Sequence, residues 1–268
     1  MIDIRILQLA SPDGESVSDR LDRAKQLLSE QAGADLVVLP ELWATGFFNF
    51  DSYESDADEW GSELIKLGCA AAAELNSFVH LGSIVEKDSA GQLRNSALLF
   101  NRAGQLVKRY SKVHPFGYDS GERDLVVGGS ALPVTALDDA RGTRVGSAIC
   151  YDLRFAGLWD ELRRRGAEII VLPAAWPASR GEAREVLLRA RAIEQQAFVV
   201  AAACAGAHGG VEMSGQSMIV GPDGSVIASA DGNTEQVVRA TIDPEQVELL
   251  RQEFPVYGDR LDDYRVLR

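Results

Sequence analysis

A thiol, a carboxylate and an ammonium brought to one site can open an amide by nucleophilic attack, and this sequence carries a candidate of each type where a strand ends. Arg144-Val145-Gly146-Ser147-Ala148-Ile149-Cys150 reads as a strand running into Cys150, and Tyr151-Asp152-Leu153-Arg154-Phe155 as a polar turn before a helix. A thiol at such an elbow is presented outward, and the backbone N–H of Tyr151 is bared where a developing oxyanion would sit. The alternative is a strand cysteine serving as a small core hydrophobe. Cys69, in Gly68-Cys69-Ala70-Ala71, and Cys204, after the run 199–203, fit that alternative far better and are assigned to packing.

The carboxylate is Glu41. In Leu36-Val37-Val38-Leu39-Pro40-Glu41, four apolar residues make a buried strand and Pro40 stops it. Glu41 therefore lies past the carboxyl end of a strand, where α/β folds keep their sites; its other reading is a solvated loop acid. The ammonium is Lys112, near the end of a hairpin strand in Lys108-Arg109-Tyr110-Ser111-Lys112-Val113-His114, where it either reaches a cleft or stands in solvent. His114 is the obvious base for a Cys–His pair, but it adjoins Pro115, and the other histidines are His80 and His208. No pair of ligand types recurs at metal-binding spacing, so neither a metal nor another cofactor is expected.

These residues need elements to position them. Strand-like and amphipathic stretches alternate: strand 2–9, helix 17–31, strand 36–39, helix 61–75, strand 79–85. Strands 96–100 and 105–109 flank the turn chemistry of Asn101-Arg102-Ala103-Gly104, so a hairpin is predicted and the sheet is mixed. The pattern resumes with strand 144–150, helix 155–165, strand 168–172, helix 182–196 and strand 198–203. A second hairpin, 216–220 with 226–230 around Gly221-Pro222-Asp223-Gly224, closes the core, and a helix over 244–251 precedes an irregular tail at about 252–268. Strands apolar on both faces require cover on both, which predicts a layered α/β architecture. With no repeat and no composition break, one domain over 1–268 is expected.

Forty acidic against 27 basic side chains leave a net charge of −13, a surface that repels phosphate backbones and anionic membranes. Nucleic acid is an unsuitable partner, and no apolar run is long enough to span a bilayer. Asp3 and Arg5 interrupt the first apolar stretch, which reads as a strand and not as a signal peptide. Three cysteines without paired spacing argue for a reducing compartment, so a cytoplasmic location is expected.

Leu39-Pro40-Glu41, Ser111-Lys112-Val113-His114 and Cys150-Tyr151-Asp152-Leu153-Arg154-Phe155 resemble, in order and spacing, the three signature motifs of the nitrilase, or carbon–nitrogen hydrolase, superfamily. The likeness runs on through Leu172-Pro173-Ala174-Ala175-Trp176-Pro177 and through residues 188–196 to the closing hairpin. It implies an α-β-β-α sandwich of two mixed sheets flanked by helices, associated as a homodimer or higher homo-oligomer. It also implies Glu41 as general base, Lys112 as oxyanion partner, Cys150 as nucleophile and Glu122 as the second glutamate that follows the lysine motif. The reaction implied is hydrolysis of a small amide through a thioester. The segment 150–158 is similar to that of the ω-amidase branch, in which the arginine at the place of Arg154 binds the distal carboxylate of the substrate. Trp176 stands where relatives carry an aromatic pocket wall; its other reading is a core tryptophan.

Monoamides of dicarboxylic or 2-oxo acids are thus the first expected substrates, with simple aliphatic amides, deaminated glutathione and N-carbamoyl compounds as alternatives. Nitrile hydrolysis ranks lower because Cys150-Tyr151-Asp152 stands in place of the Cys-Trp-Glu of nitrilases. Acyl transfer and a non-catalytic scaffold rank lower too, since no membrane segments accompany the domain and all three signature residues are present.

Overall fold

The structure, a computed structural model, describes residues 1–117 and 121–261. Residues 118–120, part of the glycine-rich loop that carries Glu122, and 262–268 of the expected tail lie outside the described residues.

The first half of the chain contributes β1 (Ile2–Gln8), α1 (Val17–Ser29), β2 (Leu36–Val38), α2 (Tyr53–Glu59), α3 (Gly61–Leu75), β3 (Phe78–Lys87), β4 (Leu93–Phe100) and β5 (Leu106–Ser111). A short α4 (Glu122–Leu125) leads to β6 (Thr135–Ala136), β7 (Arg144–Ser147), α5 (Ala156–Arg164), β8 (Ile169–Ala174), α6 (Gly181–Gln195) and β9 (Phe198–Ala203). A small ribbon of β10 (Ala207–His208) and β11 (Val211–Glu212) precedes β12 (Met218–Val220), β13 (Val226–Ser229), β14 (Gln236–Ile242) and α7 (Glu245–Glu253).

Two six-stranded mixed sheets result, ordered β14-β1-β2-β3-β4-β5 and β13-β12-β9-β8-β7-β6. The period-two alternation of each strand explains how they stack. Ile4 and Ile6 of β1 and Val38 of β2 point to the same apolar layer as Ile169 and Val171 of β8 and Val200 of β9. The intervening residues point the other way. Val37, Val79 and Leu98 meet Leu21, Leu28, Leu64 and Leu67 of α1 and α3, while Ile170, Leu172 and Val199 meet Leu158, Leu162 and Leu188 of α5 and α6. That is the expected α-β-β-α sandwich.

Of the elements that the sequence does not announce, the two longest have clear physical reasons. α2 is acidic and buries only Tyr53, so it shows no apolar stripe. β14 is an edge strand that buries only Val238 and Ile242; it pairs antiparallel with β1, so the sheets are closed by this strand as well as by the predicted second hairpin. The strand before Cys150 is also shorter than expected, ending at Ser147.

Polar groups bridge the two sheets. His80 on β3 lies 3.0 Å from Ser147 on β7, and the Lys108 ammonium donates to the Val145 carbonyl at 3.1 Å. Burial pulls the Lys108 pKa down to about 7. Its folded pKa is below the unfolded value of ~10.4, so stability rises with pH across that window and is lowest where the buried ammonium is charged. Lys108→Met is therefore expected to raise the melting temperature at pH 6 more than at pH 9, measured by calorimetry at both values.

Topology brings the candidate residues together. β2 and β3 run parallel, and β5 regains their direction because two antiparallel steps separate it from β3. The chain therefore leaves β2 and β5 at the same end of the sandwich, with Asn95 at the start of antiparallel β4 beside them. β7 and β8 are parallel to each other and deliver Cys150 and Ala175 from the second sheet. At the join, β3 bulges past Pro40, and a Cβ on Gly82 (φ +74°) would lie only 1.8 Å from the Pro40 carbonyl oxygen.

Candidate active site

Lys112 is at the centre. Its Nζ lies 2.8 Å from Glu41 Oε1 and 2.8 Å from Glu122 Oε2, and all three side chains are fully buried. The solvated readings of Glu41 and Lys112 are thereby excluded. The second oxygen of Glu41 accepts the Ala175 N–H at 2.8 Å, stitching the end of β2 to the end of β8 across the sandwich. Glu122 accepts the Phe116 N–H at 2.7 Å through the same oxygen that meets Lys112.

Asn95 was not singled out from sequence. Its Nδ2 donates to Glu41 Oε1 at 3.0 Å and to Glu122 Oε1 at 2.6 Å, while its backbone carbonyl accepts the backbone N–H of Lys112 at 2.8 Å. One neutral amide thus spans two carboxylates that share one cation. The available signal was an asparagine in a buried strand, a place such residues avoid unless a partner holds them.

Cys150 stands at the expected elbow. Ile149 is still extended, Cys150 takes φ +43°, and a 3₁₀ turn spans Cys150–Arg154. A non-glycine residue in the left-handed region costs on the order of 1–3 kcal/mol and persists only when its surroundings enforce it. Here Asp152 does so. Its Oδ2 accepts the Ile149 N–H at 3.0 Å and the Tyr110 hydroxyl at 2.6 Å, its Oδ1 accepts the His114 N–H at 3.0 Å, and its carbonyl accepts from Trp159 Nε1. The elbow is pinned to the segment that carries Lys112. His114 is part of that clip: its Nδ1 is 2.7 Å from Asp152, and its ring stacks on Phe155 at 3.7 Å. It partners Asp152 and not the thiol.

The electrostatics follow from burial and from two acids around one base. Burial opposes the charge on Lys112, but Glu122 and Glu41 outweigh it and hold the ammonium above the ordinary lysine value. Burial raises the Glu122 carboxyl above the usual range, against the pull of Lys112. Burial also lifts the Cys150 thiol well above its ordinary value, and the charge of Glu41 adds to the rise while Lys112 opposes it. The resting site therefore holds a neutral thiol beside a base. Cys204 is buried with its thiol 3.2 Å from the Glu41 carbonyl, a packing position, whereas Cys69 is only half-buried on α3.

A narrow cleft leads to Cys150 between Phe47, Phe116, Tyr151 and Trp176. Trp176 is buried, its ring facing the cleft, with the exposed Arg154 guanidinium 5.1 Å from the ring centroid. Tyr151 is half-buried and meets Phe116 and Phe155 edge-on. Among the described residues no cluster of three metal-ligating side chains occurs.

The layered α/β sandwich thus sets a cysteine elbow beside a buried carboxylate–ammonium pair. The chain belongs to the carbon–nitrogen hydrolase family, whose sequence profile matches residues 3–252. It is 36% identical over 266 residues to a 2-oxoglutaramate amidase from Paenarthrobacter nicotinovorans, covering 98% of this chain and 90% of that one. It is 34% identical to a deaminated glutathione amidase from Yersinia enterocolitica, covering 94% and 91% of the two chains. Among solved structures, XC1258 from Xanthomonas campestris, a CN-hydrolase superfamily protein, superimposes with a TM-score of 0.88 at 27% identity over 98% of each chain.

Proposed function

We propose that this protein hydrolyses the terminal carboxamide of a short carboxylate-bearing acid, with 2-oxo acid monoamides as the leading class, through a thioester on Cys150. The broader activity follows from the family and the relatives: the chain is an amidase acting on non-peptide carbon–nitrogen bonds. The observation that carries the mechanism is the Glu41–Lys112–Glu122 arrangement beside the Cys150 elbow.

Because the thiol rests protonated, Glu41 takes its proton as the sulfur attacks the amide carbon. The oxyanion is held by Lys112 and by the backbone N–H of Tyr151, in a buried site where such donors are strong. Collapse of the intermediate breaks the C–N bond, and Glu41 returns its proton to the departing ammonia. Water then attacks the thioester, giving a proton to Glu41; the C–S bond breaks, the carboxylic acid leaves, and the sulfur recovers its proton. Glu122 orients Lys112, and Asn95 keeps the two carboxylates in place.

Substrate choice rests on Arg154 and Trp176. An arginine beside an aromatic cleft suits a carboxylate at the far end of a short amide, and the 2-oxoglutaramate amidase relative acts on a substrate of that form. Ammonia release from 2-oxoglutaramate, succinamate, butyramide, deaminated glutathione, an N-carbamoyl amino acid and a nitrile tests the proposal. Carboxylate-bearing amides should lead; preference for butyramide or the nitrile would contradict it. Arg154→Met is expected to raise KM for succinamate about tenfold or more, with a smaller effect on butyramide. An equal effect on both would remove Arg154 from substrate recognition.

A homodimer is part of the same proposal. α6 leaves Val186 and Ile193 exposed one heptad apart, and Leu249 and Phe254 are exposed at α7. A second copy would cover such residues. A cytoplasmic location is proposed on the three free cysteines; no described helix is long and apolar enough to cross a membrane.

A further inference from the structure

A second arginine reaches the cleft from a different element. Arg154 ends the turn after Cys150, whereas Arg180 ends the turn Ala178–Arg180 that leads into α6, and both line the same cleft. Trp176 joins them. Its ring carries the Arg154 guanidinium, and its Nε1–H donates to the Arg180 carbonyl at 2.9 Å. Both arginines are exposed, and among the described residues neither forms an ion pair, although acidic side chains outnumber basic ones by 40 to 27. Among the described residues Arg141 and Arg165 pair with glutamates whereas Arg144 and Arg239 are exposed without an ion pair, so what sets Arg154 and Arg180 apart is the cleft that both line. Two arginines without carboxylate partners that line one otherwise apolar cleft in an acidic protein suit an anionic ligand.

We propose that Arg180 is a specificity-determining residue, the second arm of a two-arginine subsite that recognises the 2-oxo acid end of the substrate. This rests on the amidase reading and sharpens it. A simple carboxylate offers two oxygens, which one forked guanidinium satisfies. A 2-oxo acid adds a third acceptor in the same plane, which a second guanidinium from another element can serve. Arg154 then confers preference for a carboxylate, and Arg180 adds preference for the 2-oxo group.

The test separates binding from turnover. In full-length Cys150→Ala protein, titration calorimetry with 2-oxoglutarate and with glutarate reads the subsite without chemistry. Arg180→Gln added to this background should weaken 2-oxoglutarate about tenfold to a hundredfold. Glutarate should weaken less, and Arg180→Lys should recover only part of the loss. In the wild-type background, Arg180→Gln should lower the ratio of kcat/KM for 2-oxoglutaramate over succinamate by about tenfold. Melting curves of each variant confirm folding. Unchanged 2-oxoglutarate affinity, an equal loss for both acids, or no binding of 2-oxoglutarate by Cys150→Ala would overturn the subsite. The amidase reading fails on a different result, the absence of ammonia release by the wild type from every amide.

Discussion

Lys112→Met is expected to inactivate the enzyme and to destabilise it at neutral pH, two effects with one cause. Glu41 and Glu122 are both fully buried and both within 2.8 Å of the Lys112 ammonium. Methionine fills the same space but leaves two carboxylates sharing only the Asn95 amide. Removing one partner of a buried ion pair typically costs about 3–5 kcal/mol. Loss of the oxyanion partner should lower kcat at least about a thousandfold. The Glu122 carboxyl already titrates above the usual range because of burial, with Lys112 opposing the rise, and removing Lys112 raises it further. A carboxyl whose folded pKa exceeds its unfolded value contributes stability below the unfolded pKa and loses it as pH rises through the folded one. The variant should therefore melt at a higher temperature at pH 5 than at pH 8, by a margin larger than in the wild type. A melting temperature independent of this substitution would contradict the buried charge arrangement.

Glu41→Gln is expected to lower kcat about 10⁴-fold, because both half-reactions need a proton carrier at that position. It should also make the thiol more acidic. Burial is the largest cause of the raised Cys150 pKa, and the charge of Glu41 is the next. Removing that charge while keeping the size of the side chain leaves the pull of Lys112 less opposed. The pH midpoint for alkylation of Cys150 by iodoacetamide should shift downward in the variant even as turnover disappears. A nearly inactive enzyme whose thiol became harder to ionise would show that Glu41 had been holding a thiolate, which is the reverse of the arrangement described.

The sandwich was legible in the sequence because its strands are apolar on both faces and its helices on one. Ile169 to Ala174 and Phe198 to Ala203 are almost wholly apolar runs, and the helical stripe of α5 is plain. β14 was not legible, since an edge strand with Arg239 and Thr241 turned outward carries too few apolar residues to announce itself. The site divides in the same way. Glu41, Lys112 and Cys150 could be found because each follows a strand, and the family motifs tie the three together. Asn95, Asp152 and Ala175 act through hydrogen bonds across 54, 42 and 134 residues of chain respectively, to Glu41, Tyr110 and Glu41. No local pattern encodes such partners. The place of Arg180 beside Trp176, a buried residue that also lines the cleft, depends likewise on the fold.

The most direct test of the central claim is intact-protein and peptide mass spectrometry of enzyme quenched in acid during turnover of 2-oxoglutaramate. A covalent acyl adduct lacking the amide nitrogen, confined to the peptide that contains Cys150, is the predicted result. An adduct on Cys69 or Cys204 instead, or turnover with no adduct that persists undiminished in Cys150→Ala, would contradict it.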